Sequence, residues 1–557
     1  MSQPQAVLLG RILPLRPHDG LRTENAVALR GDTIAAVGPS ADVAGAVPAG
    51  TPVLDFHDRT VMPGFVDTHT HAAAGSIGGT TMLNCVDGHE SIADIQQTLT
   101  DHLGDGTESG WLIARAKLFL DRRLRDDRYP TREDLDKVSR TVPLALQTGH
   151  LTMLNSAGLE AIDVERFVGV RHGGMGPIHV QTGPDGRPNG LVNNMDALLP
   201  LPVPDRGAAK DAVADGVRRL FTANGVTTLC EMSDTRATMA SLTELVDEGR
   251  IGSRMDVFLM VPGTMSLDEA LDWRRNGISE RPGMLDIRGV KMFGDGGYSS
   301  SDAAIHSPYC DEVALEPGST GVLSFSDDEL ADVLRTLHAV RVQLALHTNG
   351  ERAQEQLGRV GAKLNLRGGP PIRLEHAGNW MWDPLTPEHW HRGGAVPVPQ
   401  ATFMYTMAAG MPHYLGDYAA RPGRLPLRTL FESGWELAGG SDWIWSFEEK
   451  ITNPLFSVWC CMQREGWDGV VIDPEERLDL ETALRMHTAN GAKLLGHGDT
   501  RGSLEAGRLA DIVVLDRDIT CVGADGIRDS RVDYVFVGGD LVYVRDGAVP
   551  YTERSVR

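Results

Sequence analysis

Two histidines two residues apart close an apolar run in Pro63-Gly64-Phe65-Val66-Asp67-Thr68-His69-Thr70-His71. At i and i+2 on a β-strand both imidazoles project to one side, and imidazole suits zinc and similar metals. Such a pair alone recurs by chance. Ligand-type residues also end four further apolar runs: Lys291 in Val290-Lys291-Met292-Phe293-Gly294, His347 after Leu344-Ala345-Leu346, His376 after Ile372-Arg373-Leu374-Glu375, and Asp442 after Leu437-Ala438-Gly439-Gly440-Ser441. Each one alone is an ordinary polar residue at a strand end. Six of them at five strand ends, in this order, form a constellation. Its natural chemistry is metal-assisted hydrolysis, because coordination lowers the pKa of water to about 7 and so supplies a nucleophile at neutral pH.

The elements that must position these residues are legible as alternating β-type runs and helical patterns, the signature of βα units around a parallel sheet. Nine runs qualify as strands: 60–66, 143–148, 226–231, 256–261, 287–293, 342–346, 372–375, 395–399 and 435–439. A TIM-like (β/α)8 barrel has eight places, with its chemistry at the C-terminal strand ends. The surplus run is 143–148, which falls within a lid domain expected as an insertion at about residues 79–205. Both chain ends have short β-type runs, 6–13, 26–29 and 33–37 at the start and 510–515, 532–537 and 541–544 at the end. Gly538-Gly539-Asp540 marks a hairpin turn between the last two. Neither end has strands enough for a stable sheet alone. Residues 1–58 plus 500–557 are therefore expected to build one small β-sandwich, and residues 59–499 the barrel.

Bulk properties narrow the partners. A chain of 557 residues exceeds one ordinary domain. Its 53 Lys+Arg against 76 Asp+Glu leave a net charge of −23, a surface that repels phosphate backbones and anionic membranes. A small-molecule substrate is expected rather than nucleic acid or membrane, and a homo-oligomer is compatible with the sequence. The first residues lack a basic segment followed by an apolar run, and no 18-residue apolar stretch occurs. The six cysteines contain no CxxC pair and suggest reduced thiols in a cytoplasmic protein.

PGFVDTHTH, VKMFGDG, the histidine of LALHTNGE, RLEH, GGSD and the closing GSLEAGRLADIVVLD together resemble the amidohydrolase superfamily. Within it they resemble the amidohydrolase-3 branch that includes N-substituted formamide deformylases, and the resemblance runs nearly end to end. It implies a two-metal site in which His69, His71 and Asp442 hold one divalent ion, zinc by default, and His347 and His376 the second. Lys291 would bridge them as a carbamate formed with carbon dioxide, since a charged ammonium cannot ligate a cation. Some relatives use a single ion. Asp442 would also be the base that takes a proton from water and passes it to the leaving nitrogen. The family often reads HAIGD where this chain has His347-Thr348-Asn349-Gly350-Glu351, which leaves the ligand in place and the substrate side open.

The implied activity is hydrolysis of a non-peptide C–N bond (amide, formamide or N-acyl), with hydrolytic deamination or cyclic amide opening as the alternative at the same site. A barrel that had lost its chemistry is disfavoured, because all six positions hold competent ligands. His150, in Gln147-Thr148-Gly149-His150 with Asn155 following, matches a GH…N pattern of the branch and would hydrogen-bond the substrate from the lid; a capping or packing role is an equal reading. Asp295 and Tyr298 are candidates for substrate contact, Asp295 equally for supporting the glycine-rich turn. Trp380, Trp443 and Trp445 follow two ligand-bearing strand ends, where loops line a barrel mouth. If they face it rather than the core, they favour an apolar or aromatic substrate.

Overall fold

The computed structural model describes residues 5–17, 19–104, 110–168, 178–233, 235–262, 265–277, 280–366, 368–378 and 386–556. Seven parallel strands carry the middle of the chain: β1 (Phe65–Thr70), β2 (Val226–Ser233), β3 (Arg254–Met260), β4 (Leu285–Phe293), β5 (Gln343–His347), β6 (Ile372–Glu375) and β7 (Ala395–Val398). They are hydrogen-bonded in chain order. From β2 onward a helix separates each strand from the next, the right arrangement for burying both faces of a parallel sheet. The sheet curls. Glu375 on β6 reaches His69 on β1 although four strands stand between them in the sheet, and only an inward-facing surface brings such side chains together.

The run expected as a strand at 435–439 lacks strand geometry. It nevertheless lies against β1: the Gly439 carbonyl accepts from Thr68 N–H at 3.3 Å, and Asp442 N–H donates to the His69 carbonyl at 2.7 Å. On its other side Ala438 packs with Val398 of β7.

The run read at 60–66 is divided. Residues through 63 end a long strand, Pro52–Pro63, whose last residues pair with Ile512–Leu515, whereas β1 begins at Phe65. Gly64 makes the step between the two sheets, and a Cβ there would lie 2.2 Å from the Thr227 side chain. Strands from both chain ends form one eight-stranded sheet: Gln5–Ile12, Glu24–Arg30, Thr33–Gly38 and Pro52–Pro63 with Ile512–Leu515, Val532–Val537, Asp540–Val544 and Thr552–Ser555. Gly538 and Gly539 both have positive φ, as a two-residue type I′ hairpin requires.

The surplus run lies outside the seven-stranded sheet. It is Leu144–Thr148, the centre of a six-stranded mixed sheet built from residues 83–193 over its own apolar cluster of Ile92, Ile95, Leu99, Leu112 and Leu144. This unit is tied to the loop after β4, where Asn193 Nδ2 donates to the Ser300 carbonyl at 2.6 Å and Asn194 Nδ2 to Asp302 Oδ2 at 2.8 Å. Among the described residues no helix is long and apolar enough to cross a membrane.

Candidate metal centre and active site

His69 and His71 leave the end of β1 toward Asp442. The Asp442 Oδ1 lies 3.3 Å from His69 Nε2 and 3.5 Å from His71 Nε2, and the three offer ligand atoms that all fall within 4.8 Å of one another. Asp442 sits at φ 51° and His376 at φ 67°, left-handed backbone that non-glycine residues rarely adopt and that concentrates at functional sites. Burial works to raise the Asp442 pKa, but His69, His71 and Lys291 outweigh it and hold the carboxyl below its ordinary value.

Lys291, on β4, is buried, and removal from water lowers its pKa to about 8. Among the described residues its Nζ has no ion-pair partner; it stands 5.3 Å from the centre of the Phe293 ring. His347 and His376 end β5 and β6 with ring centres 4.5 Å apart, and His376 lies 5.1 Å from His69. Burial first, then the charge of Lys291 or a neighbouring imidazole, pushes His69, His347 and His376 well below the ordinary histidine value. They are neutral imidazoles, the form that binds metal.

The nitrogens not used for ligation are held from outside. His69 Nδ1 lies 2.5 Å from Glu375 Oε2, while Glu375 Oε1 accepts from Arg373 Nε at 2.6 Å. Arg373, wholly buried, also donates to the Thr68 carbonyl at 2.6 Å. His376 Nδ1 meets Gln400 Oε1 at 2.7 Å, and Gln400 Nε2 donates to the Val398 carbonyl, which fixes the amide with its oxygen toward the ring. A proton on each Nδ1 leaves the lone pair on Nε2. His69 Nε2 is buried and has no hydrogen-bond partner, since its approach to Asp442 lacks hydrogen-bond geometry. A buried imidazole with a carboxylate on one nitrogen and nothing on the other is the arrangement of a metal ligand with its supporting partner. The donor set fits a divalent ion.

His71, Lys291, His347, His376 and Asp442 open into one cavity of about 240 Å³, whose apolar wall includes Phe293, Phe403, Met407, Ile444, Trp445 and Phe447. His150 lines it too, on the turn between Leu144–Thr148 and Leu151–Leu154, its ring centre 6.1 Å from that of His347. Asn155 does not reach it: its side chain caps the helix Ser156–Ile162 and accepts from Gly158 N–H. Tyr298 lines the cavity with its ring, while its hydroxyl donates to the Asn349 carbonyl at 2.7 Å.

Two candidates for substrate contact have other surroundings, and Asp295 takes the loop-supporting role that was its equal reading. Asp295 is buried and its carboxylate accepts from the backbone N–H groups of Asn349, Gly350 and Ala304 at 2.9, 2.7 and 3.0 Å, so it ties the loop after β4 to the end of β5. Trp443 packs away from the cavity, 6.0 Å from the Phe221 ring and against the helix Ala72–Thr81, where a Cβ on Gly75 would fall 2.5 Å from its indole. Gly78, one turn on, receives the inner edge of Trp445. Trp380 lies outside the described residues.

Comparison with known proteins decides the family: the Amidohydrolase family profile matches residues 52–543. The chain belongs to the amidohydrolase family. It is 24% identical over 540 residues to an N-substituted formamide deformylase of Arthrobacter pascens, covering 94% of this chain and 95% of that protein. It is likewise 24% identical to the Protein LONG AFTER FAR-RED 3 of Arabidopsis thaliana, over 93% of this chain and 88% of the other. An uncharacterized metal-dependent hydrolase from Pyrococcus horikoshii OT3 shares the fold, with a TM-score of 0.69 at 20% identity, covering 94% of this chain and 99% of that one.

The sequence of this amidohydrolase did not single out Glu375, Arg373 and Gln400. Glu375 and Arg373 carried a local signal: two residues apart on β6, they share one face of the strand, opposite to Leu374. Gln400 carried none, because only the pairing of β7 beside β6 brings its amide to His376.

Proposed function

We propose that this amidohydrolase cleaves a non-peptide C–N bond, an amide, formamide or N-acyl linkage, in an apolar or aromatic small molecule. The observation that carries the reading is the buried, unpartnered Nε2 of His69 beside Asp442, with Nδ1 held by Glu375. A divalent ion, zinc by default, would be held by His69, His71, His347, His376 and Asp442 with a carbamylated Lys291 between two such ions; it would polarise the carbonyl and lower the pKa of water. Neutral Lys291 Nζ is the form that can add carbon dioxide, and the fall of its pKa to about 8 increases that fraction. Asp442, ionised at neutral pH, takes the proton of the attacking water and delivers it to the departing nitrogen, which leaves as the neutral amine. His150 hydrogen-bonds the acyl oxygen from the insertion. Trp445, Ile444 and Phe447 pack on the substrate and exclude bulk water.

The same reading takes the seven strands with segment 435–442 as a (β/α)8 barrel, the terminal sheet as a sandwich domain (1–58 with 500–557) and residues 79–205 as its lid, in a cytoplasmic protein. The test is an assay of purified, zinc-loaded protein on N-formyl and N-acyl arylamines and, in parallel, on amino-substituted heteroaromatics, scoring arylamine release from the first against ammonia release from the second. Turnover abolished by a strong chelator and restored by zinc, manganese or cobalt is expected. Activity in a verified metal-free preparation, or ammonia as the sole amine product, overturns it.

A further inference from the structure

The insertion supplies four residues to the catalytic cavity: Leu118, Gly149, His150 and Asp196. Asp196 opens the turn Asp196–Leu198, just past the strand Pro188–Asn193. One of its carboxylate oxygens accepts from Gln147 Nε2. Among the described residues no other side chain donates to it. Gln147 is wholly buried, and because its NH₂ group must face the carboxylate, its Oε1 points elsewhere and stays buried without a partner.

Of these two residues only Asp196 reaches the cavity, where His150 is its nearest charge-bearing neighbour. Removal from water pushes the Asp196 carboxyl above its ordinary value, while His150 and the Gln147 hydrogen bond pull the other way. Outside the metal-ligand set, Asp196 is the only carboxylate among the described residues lining this cavity. Aromatic rings of Phe293, Phe403, Trp445 and Phe447 share the enclosure. A half-buried carboxylate among aromatic faces is a setting that favours an organic cation.

We propose that Asp196 is a specificity-determining residue that selects substrates bearing a cationic nitrogen, an ammonium or amidinium group, on the lid side of the cavity. The inference rests on the hydrolase reading for the word substrate, but not for the recognition itself. The cation donates to the free Asp196 oxygen, and the aromatic body of the molecule fills the space between lid and metal ligands.

The experiment compares N-formyl-4-(aminomethyl)aniline with its uncharged near-isostere N-formyl-4-ethylaniline, in zinc-loaded wild type, Asp196→Asn and Asp196→Ser. Wild type should favour the ammonium member in kcat/KM by about tenfold or more, and both variants should lose that ratio through KM. Calorimetric binding of the two free amines, 4-(aminomethyl)aniline and 4-ethylaniline, runs in parallel. If neither formanilide is hydrolysed, the reading of the bond class fails while the binding ratio still decides Asp196. No preference in wild type, a preference that survives both variants, or equal losses on both members overturns the proposal. Circular dichroism confirms that each variant is folded, and if one is not, the wild-type ratio and the other variant decide.

Discussion

His69 Nδ1 and Glu375 Oε2 sit 2.5 Å apart across the inside of the curled sheet, between strands that are not neighbours. The contact fixes which nitrogen of His69 bears its proton. Through Glu375 it also links the imidazole to the Arg373 guanidinium. Glu375→Gln keeps the shape and removes the charge. Metal affinity should fall about 10–100-fold, the usual cost of losing a ligand's supporting carboxylate, and a competition titration against a calibrated chelator reads it. Unchanged affinity would show that the pair serves packing alone.

Asp442 holds left-handed backbone at φ 51°, which asparagine tolerates well and alanine does not. Asp442→Asn should therefore fold while kcat drops by about 10²–10⁴, the range for loss of a general base. Steady-state kinetics with a thermal melt checks both halves, and turnover within a few-fold of wild type would assign the base elsewhere.

Lys291 is expected to act as a carbamate. Lys291→Ala should bind less metal per chain, measured by plasma emission, and short carboxylic acids should restore part of the activity by occupying the vacated bridge. A variant that keeps two ions and loses only stability means the lysine makes an ion pair instead.

The two indoles should separate cleanly. Trp443 is 3% exposed and packed on Gly75 and Phe221, so Trp443→Ala should cost about 3–5 kcal/mol of stability and leave the ratio of kcat/KM between bulky and small substrates as it was. Trp445 lines the cavity. Trp445→Ala should raise KM for bulky aromatic substrates by about one order of magnitude, about 1.4 kcal/mol, with small formamides affected less. Denaturant titration and a matched substrate pair read the two outcomes, and reversed roles would refute the assignment.

Glu351 gives a pH signature. Burial pushes its carboxyl from 4.5 up to about 7 against the hydrogen bond from Tyr418. A carboxyl that keeps its proton more tightly folded than unfolded favours the native state at and below pH 4.5 and loses that contribution as pH rises to 7. The loss amounts to about 3 kcal/mol. Glu351→Gln lacks the titration, so its stability relative to wild type should climb across pH 4.5–7 and level off above. A difference that does not vary with pH would contradict the raised pKa.

The candidate ligands were legible because strand-end chemistry is local: an apolar run stops and a ligand-type residue follows, whatever the rest of the chain does. Boundaries that depend on a partner were not. Residues 60–66 read as one strand because nothing local marks Gly64 as the step from one sheet to another; the pairing of residues 61–63 with 512–514 sets it. Trp443 looked like a pocket residue for the same reason. Its place is decided by the helix Ala72–Thr81, far earlier in the chain, whose Gly75 leaves room for the indole. Asn155 shows the converse, since Asn before a helix is a capping signal readable in the sequence that the family pattern around His150 obscured.

The strand Pro52–Pro63 pairs on one side with Gln5–Ile12 and on the other with Ile512–Leu515. In a chain made from its N-terminus at about 5–20 residues per second, roughly 20–90 s pass between synthesis of residue 63 and its partner at 512. Throughout that interval the nascent chain carries an unsatisfied strand edge, the kind of template on which aggregation starts. Translation speed and chaperone occupancy, rather than the stability of the finished enzyme, would then set how much of this protein a cell recovers in folded form.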